Sequence, residues 1–288
     1  MADWTIGIIG GSGLYAIEEI EQPEWLAIDS PFGAPSDALL TGRIGHVRFV
    51  FLPRHGRGHV LSPTHVNYRA NIDALKRAGC TDVLAISSVG SLREELAPGR
   101  FVLPDQFIDR TVAREKSFFG PGVVAHVSMA EPTCPRLAGL AADAARASGA
   151  PVSEGGTYLA MEGPQFSTKA ESALYRQWGC DIIGMTAMPE AKLAREAELP
   201  YALVGMVTDY DCWREETAHV EVSQVIAQLG ANAGLARKLV VELARLLPRE
   251  RSPSPIDTVL DHALLSDPAK AGPEAMERLQ AICGRLLG

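Results

Sequence analysis

Two aspartates close an apolar run in the stretch 202–213, ALVGMVTDYDCW. Residues 203–207 are apolar throughout, the composition of a buried parallel strand, and the chain turns acidic abruptly at Asp209 and Asp211. Ligands of open α/β sheets bind beyond the carboxyl ends of the strands. Carboxylates at i and i+2 of an extended chain share one side. Two so close do not ionise independently, so one of the pair is expected to hold a proton near neutral pH. A protonated carboxyl beside an ionised one donates one hydrogen bond and accepts another, which matches the N7 and exocyclic-amine edge of an adenine. Taken alone, two aspartates that end a strand and open a turn fit the pair equally well.

Further strand ends carry groups suited to an anion. Arg54 follows the apolar run 47–52 and Pro53, where a guanidinium binds an oxyanion bidentately. His55, Arg57 and His59 extend it into a basic loop, with Arg57 and His59 read as ordinary solvated surface. Ser87 and Ser88, with Val89 and Gly90, follow the run 83–86. They supply hydroxyl and backbone donors to a phosphate, or make a polar turn. Gly10-Gly11-Ser12-Gly13 follows 5–9; its glycines let the backbone approach an anion and Ser12 adds a hydroxyl. Thr186 offers one more hydroxyl after 181–184, with Met185 beside it facing a sugar or the core. Phe166, presented by Glu162-Gly163-Pro164, suits stacking on a flat heterocycle or a place in the core.

These groups need a sheet to position them. Buried strands are expected at 5–9, 47–52, 83–86, 155–160, 181–184 and 201–207, with helices at 65–79, 135–148, 168–178, 190–198 and 220–247. Gly79 is placed to cap the first helix, and Ser167 or Thr168 to open the third. Gly11, Gly13 and Ala16 also satisfy a dinucleotide fingerprint, with Asp29 downstream. That fingerprint needs a crossover helix, whereas IEEIEQPEW is short, acidic and broken by Pro23. It is read as a decoy. Strands alternating with helices predict an α/β fold, a single domain with a central twisted mixed β-sheet flanked by helices. The expected body is 1–248; after the linker ERSPSP, 249–288 forms a helical tail packed on its own or a neighbouring subunit.

The totals narrow the function. With 288 residues and 47% hydrophobic content a large core is available, and a net charge of −8 without an offsetting basic run excludes a nucleic-acid surface. No stretch has the apolar length of a membrane span. The start MADWTIGIIGG lacks a basic region, so no signal peptide is expected. Cys80, Cys134, Cys180, Cys212 and Cys283 are scattered and odd in number, as for reduced thiols in a cytoplasm. No metal-ligand cluster, Walker loop or nucleophile elbow is present.

The motifs IGIIGGSGL, FGAPSDAL, RHGRGH, HVNYRANIDALKRAGC, SSVGSLREE, DQFIDRT, MAEPTCP, EGPQFSTKAES, MTAMPEAKLAREA and TDYDCW occur in this order. Together they resemble the 5′-methylthioadenosine phosphorylases, in the trimeric branch of the purine nucleoside phosphorylase superfamily, over residues 5–247. The resemblance implies attack of inorganic phosphate on C1′ of the nucleoside, release of adenine and formation of 5-methylthioribose 1-phosphate, with phosphate as co-substrate and no cofactor. It assigns phosphate binding to Ser12, Arg54, His55, Ser87, Ser88 and Thr186. Phe166, Met185, Tyr210 and the Asp209–Asp211 pair would contact the nucleoside, with Asp209 the acid at N7. Ser167, Val222, Val225 and Ile226 would shape the base and 5′-alkylthio pockets. His126 would reach the 5′ end of a substrate in the adjacent subunit, which implies a cytoplasmic homotrimer with sites at subunit interfaces. The serine at position 12 and the SSVG stretch depart from the commoner family pattern but keep hydroxyls.

Other classes fit less of the chain. A 6-oxopurine phosphorylase conflicts with TDYDCW, because an ionised Asp211 repels O6. A dinucleotide enzyme rests on the glycine turn alone. A silent nucleoside-binding module leaves Arg54, Ser87, Thr186 and Asp209 without a purpose.

Overall fold

The computed structural model describes residues 3–11, 13–214, 222–267 and 270–287. β1 (Thr5–Gly10) alternates its side chains between two apolar layers: Ile6 and Ile8 enter one, Ile9 the other. β5 (Asp82–Ser91) and β11 (Tyr201–Asp209) do the same, with Leu84, Ile86, Val204 and Met206 on the first side and Val83, Ala85 and Leu203 on the second. A strand buried on both faces must be covered on both. Helices α2 (Pro135–Ala147) and α5 (Val222–Leu246) cover one face; α1 (Tyr68–Arg77) and α4 (Ala187–Glu196) cover the other.

The remaining strands are β2 (Glu21–Leu26), β3 (Leu39–Ile44), β4 (Val47–Pro53), β6 (Phe101–Leu103), β7 (Gln106–Asp109), β8 (Val152–Glu154), β9 (Thr157–Ala160) and β10 (Ile182–Gly184). The main path of the mixed sheet runs β2-β3-β4-β1-β5-β10-β9-β7, and β11 joins β5 to β6. The chain after the glycine turn forms edge strand β2 rather than a crossover helix, so the dinucleotide fingerprint lacks the context it requires.

One irregularity of the sheet matters for function. β1 pairs in parallel with β5 only from Asp82 to Ala85, whereas β10 pairs antiparallel with β5 only at Gly90 and Ser91. On that edge, residues 86–89 have no strand neighbour among the described residues, so the sheet splits there. Ser87 and Ser88 therefore lie inside β5, at the split, and not in a turn after the strand as their polarity suggests. β11 covers the opposite edge of β5 continuously from Val83 to Val89.

Local signals set the helix starts. The first helix begins at Tyr68, later than its periodicity predicts, because Asn67 accepts the Ala70 N–H and caps it. α3 (Lys169–Gln177) opens on a capping box between Thr168 and Glu171. The tail contains a 3-10 segment (Pro255–His262), α6 (Pro273–Arg278) and α7 (Gln280–Leu287). Leu260, Leu279, Ile282 and Cys283 join the core beneath α1 and α4, so the tail packs on its own chain. Its backbone also pairs with the 124–126 stretch: Leu265 N–H donates to Val124 O, and His126 N–H to Ala263 O, both at 2.9 Å.

The last residue of α4 gives a stability prediction. Glu196 is buried and accepts the Ser117 hydroxyl and the Phe118 N–H at 2.7 Å each, with no salt-bridge partner among the described residues. Burial pushes its carboxyl from the usual 4.5 up to about 7, against the pull of those two hydrogen bonds. A raised folded-state value favours the fold below pH 4.5, and that advantage is lost as pH rises through about 7. Glu196→Gln removes the buried charge, and the Ser117 hydroxyl can turn to accept. At pH 8 the variant is expected to gain up to about 3 kcal/mol and to melt several degrees higher. Melting curves from pH 5 to pH 8 check this: the gap should close towards pH 5, and a gap independent of pH would reject the assignment.

Candidate active site

The parallel pairing of β4, β1, β5 and β11 brings four carboxyl ends to one edge of the sheet. Arg54, just after β4, is 2% exposed there. Its backbone N–H donates to Gly10 O at 2.9 Å. Its guanidinium grips Glu190 of α4 side-on, Nε to Oε1 at 2.5 Å and Nη2 to Oε2 at 3.1 Å. Nη1 reaches Ile86 O at 3.3 Å and Nη2 reaches Ile9 O at 3.5 Å. Burial works against the Arg54 charge, and the adjacent Glu190 carboxylate more than restores it. The bidentate fork expected to hold an oxyanion is therefore occupied by Glu190. An isolated buried guanidinium is too costly, so the fold supplies a buried counter-charge.

The loop beyond Arg54 is less basic than its composition suggests. His55 Nδ1 lies 2.8 Å from Leu61 O and so carries the proton that donates to it. Burial first, and the Arg54 charge second, push its pKa down to about 4, so the ring is neutral near pH 7 and Nε2 is an acceptor. His59 stacks on His55 with centroids 4.3 Å apart. Arg57 is not free surface charge: its Nε and Nη2 bind the Asp37 carboxylate at 3.0 and 2.9 Å, its backbone N–H adds a third bond, and its guanidinium covers Trp25. Asp37 belongs to the FGAPSD turn, which thus clamps the Arg54–His55 loop.

At the split in the sheet the Ser87 and Thr186 hydroxyls are 3.2 Å apart, on buried residues. Ser88, next along β5, is half-buried, and the Thr186 N–H donates to the Tyr158 hydroxyl at 3.3 Å. Ser12 lies outside the described residues. Gly10 lies under the Leu14 side chain, whose Cδ1 would be 2.1 Å from a Cβ there and would have to shift.

Gly90 of the SSVG stretch serves close approach of the acidic pair. A Cβ there would lie 3.0 Å from Asp209 Oδ1 and 3.5 Å from Asp211 Cβ. Asp209 ends β11, with Oδ2 accepting the Thr208 hydroxyl at 2.7 Å and Oδ1 accepting the Asp211 N–H at 2.8 Å. Asp211 has φ +52°, so the pair is arranged by a turn closed by Asp209 itself, and not by the extended chain the i, i+2 spacing implies. Burial pushes both carboxyls up, and for Asp211 the Asp209 charge adds to it. Both shifts run towards holding a proton.

The aromatic loop is tied to this turn. The Cys212 thiol donates to Ser167 O at 3.2 Å, beside Phe166, which is 47% exposed. Gly163 has φ +68°, and a Cβ on it would lie 2.5 Å from Met185 Sδ, so the Glu-Gly-Pro turn rests on Met185. Arg114 fixes both: its Nη1 donates to Met185 O and Met188 O, its Nη2 to Glu162 O, and its Nε to the Glu162 carboxylate. Arg114 and Glu190 are the residues the sequence does not advertise. Glu190 leaves one trace, a carboxylate on the apolar face of a helix; Arg114 leaves none.

Tyr210 and His126 lie on loops tied down within this chain. The Tyr210 hydroxyl donates to Glu94 O at 3.3 Å, and the Arg214 guanidinium lies 4.7 Å from its ring, so Tyr210 braces the loop. His126 is exposed on the stretch paired with the tail. Val222, Val225 and Ile226 lie at the start of α5, with side chains outside the described residues.

The family description "Phosphorylase superfamily" matches residues 5–245. The chain belongs to the phosphorylase superfamily. Within it the chain falls with the S-methyl-5′-thioadenosine phosphorylases: the protein of that name from Cereibacter sphaeroides is 60% identical, over 98% of each chain. Among solved members of the superfamily, a methylthioadenosine phosphorylase from an antarctic soil metagenomic library superposes with a TM-score of 0.93 at 44% identity, covering 98% of this chain and 99% of that one. The Schistosoma mansoni methylthioadenosine phosphorylase in complex with adenine has a TM-score of 0.79 at 40% identity, covering 84% and 91%.

Proposed function

We propose that the chain catalyses phosphorolysis of 5′-methylthioadenosine. Inorganic phosphate attacks C1′, the C1′–N9 bond breaks, and adenine leaves as 5-methylthioribose 1-phosphate forms. The observation that carries this reading is the Asp209–Asp211 turn over Gly90 of β5, the same strand whose Ser87 sets its hydroxyl beside that of Thr186.

In this reading phosphate, the co-substrate, sits at the split in the sheet against Ser87, Ser88 and Thr186, with Ser12 and Arg54 adding donors. His55, neutral, accepts a hydrogen bond from the phosphate O–H. Adenine stacks near Phe166 and presents N7 and N6 to the aspartates, while Met185 lies against the ribose. The leaving adenine gains electron density at N7, and the raised Asp209 carboxyl delivers a proton there, so the base departs neutral. The bound phosphate dianion stabilises the cationic sugar and lies in line for attack. Asp211, ionised, accepts the N6 amine and disfavours a 6-oxopurine. Ser167, Val222, Val225 and Ile226 shape the base and 5′-alkylthio pockets. No cofactor takes part. The active assembly is a cytoplasmic homotrimer in which His126 reaches the neighbouring subunit's substrate. Five unpaired cysteines support a reducing compartment.

The test is release of free adenine from 5′-methylthioadenosine with and without inorganic phosphate, with adenosine and inosine in parallel. Phosphate-dependent release, strongest from methylthioadenosine, is expected. Release from inosine alone would overturn the roles of Asp209 and Asp211, and release from none would overturn the reaction.

A further inference from the structure

Four segments meet on Arg54: the ends of β1 and β4, the middle of β5, and the first turn of α4. The guanidinium has five N–H groups. Nε and Nη2 serve Glu190, Nη2 also serves Ile9 O, and Nη1 serves Ile86 O. The second Nη1 proton has no partner among the described residues. Ile86 immediately precedes Ser87, so the Nη1 edge lies at the split in the sheet. Glu190 is itself held: it is 1% exposed, the Tyr201 hydroxyl donates to its Oε2 at 3.2 Å, and it follows Thr186 by four residues.

We propose that Glu190 is a positioning residue for the phosphate co-substrate, acting through Arg54. By holding the Nε–Nη2 edge it turns the guanidinium so that the Nη1 edge alone faces the anion. It also cancels the Arg54 charge, so phosphate is recognised by directed donors and not by net charge. The same contact ties the Thr186 segment to the ends of β1 and β4, which keeps the hydroxyl and guanidinium donors in register. This rests on the phosphorolysis reading above.

Glu190→Gln keeps the shape but removes the charge and one strong acceptor; Glu190→Asp keeps the charge but withdraws it by one methylene. Loss of a charge-assisted hydrogen bond corresponds to about ten-fold or more in affinity. Glu190→Gln is therefore expected to raise the KM for phosphate about ten-fold or more, with the KM for methylthioadenosine and the Kd for adenine alone within about three-fold. Glu190→Asp should fall between it and the parent protein. A parallel rise in both KM values, or a lowered melting temperature with unchanged kinetics, would assign Glu190 a merely structural role and overturn the proposal. If the glutamine variant fails to fold, the aspartate variant carries the same comparison. Failure of the functional reading is distinguishable, because the unmodified protein would then release no adenine.

Discussion

Asp209→Asn lowers kcat/KM for methylthioadenosine by about 10²–10⁴-fold, the usual contribution of a positioned acid, and moves the preference towards inosine-type nucleosides. The fold should survive the change. The amide oxygen can accept the Asp211 N–H that Oδ1 now accepts at 2.8 Å, and the Thr208 hydroxyl, 2.7 Å from Oδ2, can turn to accept from the amide nitrogen. What is lost is a carboxyl whose hold on a proton is strengthened by burial. An asparagine cannot protonate N7, so adenine must leave as an anion. It can donate to N7 or O6, which a 6-oxopurine tolerates and adenine's amine does not reward. Steady-state kinetics on methylthioadenosine and inosine, with a melting curve for each protein, make the comparison. Unchanged rates on both substrates would remove Asp209 from the mechanism.

Arg114→Met is the second large effect, on stability and activity together. The Arg114 side chain is 1% exposed in its ion pair with Glu162. It donates to Tyr68 Oη, Met185 O, Met188 O and Glu162 O, so methionine fills the volume but strands four acceptors and a carboxylate. Glu162 is held down to about 2: its hydrogen bonds from Thr64, Val112 and Ala113 and the Arg114 charge outweigh the effect of burial. It therefore stays ionised at any working pH. Each buried acceptor left unpaired costs about 1–3 kcal/mol, and with several stranded at once the melting temperature should fall by roughly 10 °C or more. Because Met185 O and the Glu162 turn both lose their anchor, the KM for the nucleoside should rise while the phosphate site is less affected. A variant that melts lower yet binds nucleoside as before would confine Arg114 to stability.

How much of this site the sequence exposes depends on the reach of each signal. The strand runs, the glycines at positions 10 and 90, and the carboxylates at 209 and 211 are local features that a short window contains. Their types follow from what a buried strand end tolerates, so they were legible. The ordered motifs placed the chain among nucleoside phosphorylases for the same reason. The boundaries of β5 were not legible, because Ser87 and Ser88 look like turn residues until β11 pairs with them. The i, i+2 geometry of the aspartates also misled, since the positive φ of Asp211 is not written in its residue type.

The sequence alone determined the alternation of strands and helices, the chemistry available at the strand ends and the family, because each is encoded in neighbouring residues or in the order of motifs. Only the tertiary structure decided which charges face which. Arg54 takes Glu190 from 136 positions away, Arg57 takes Asp37 from 20, and Arg114 gathers partners 46 to 74 positions distant. Such pairings, and the neutral His55 they help to create, are set by distance and burial in three dimensions. Coulomb energy and desolvation depend on those two quantities and not on separation along the chain.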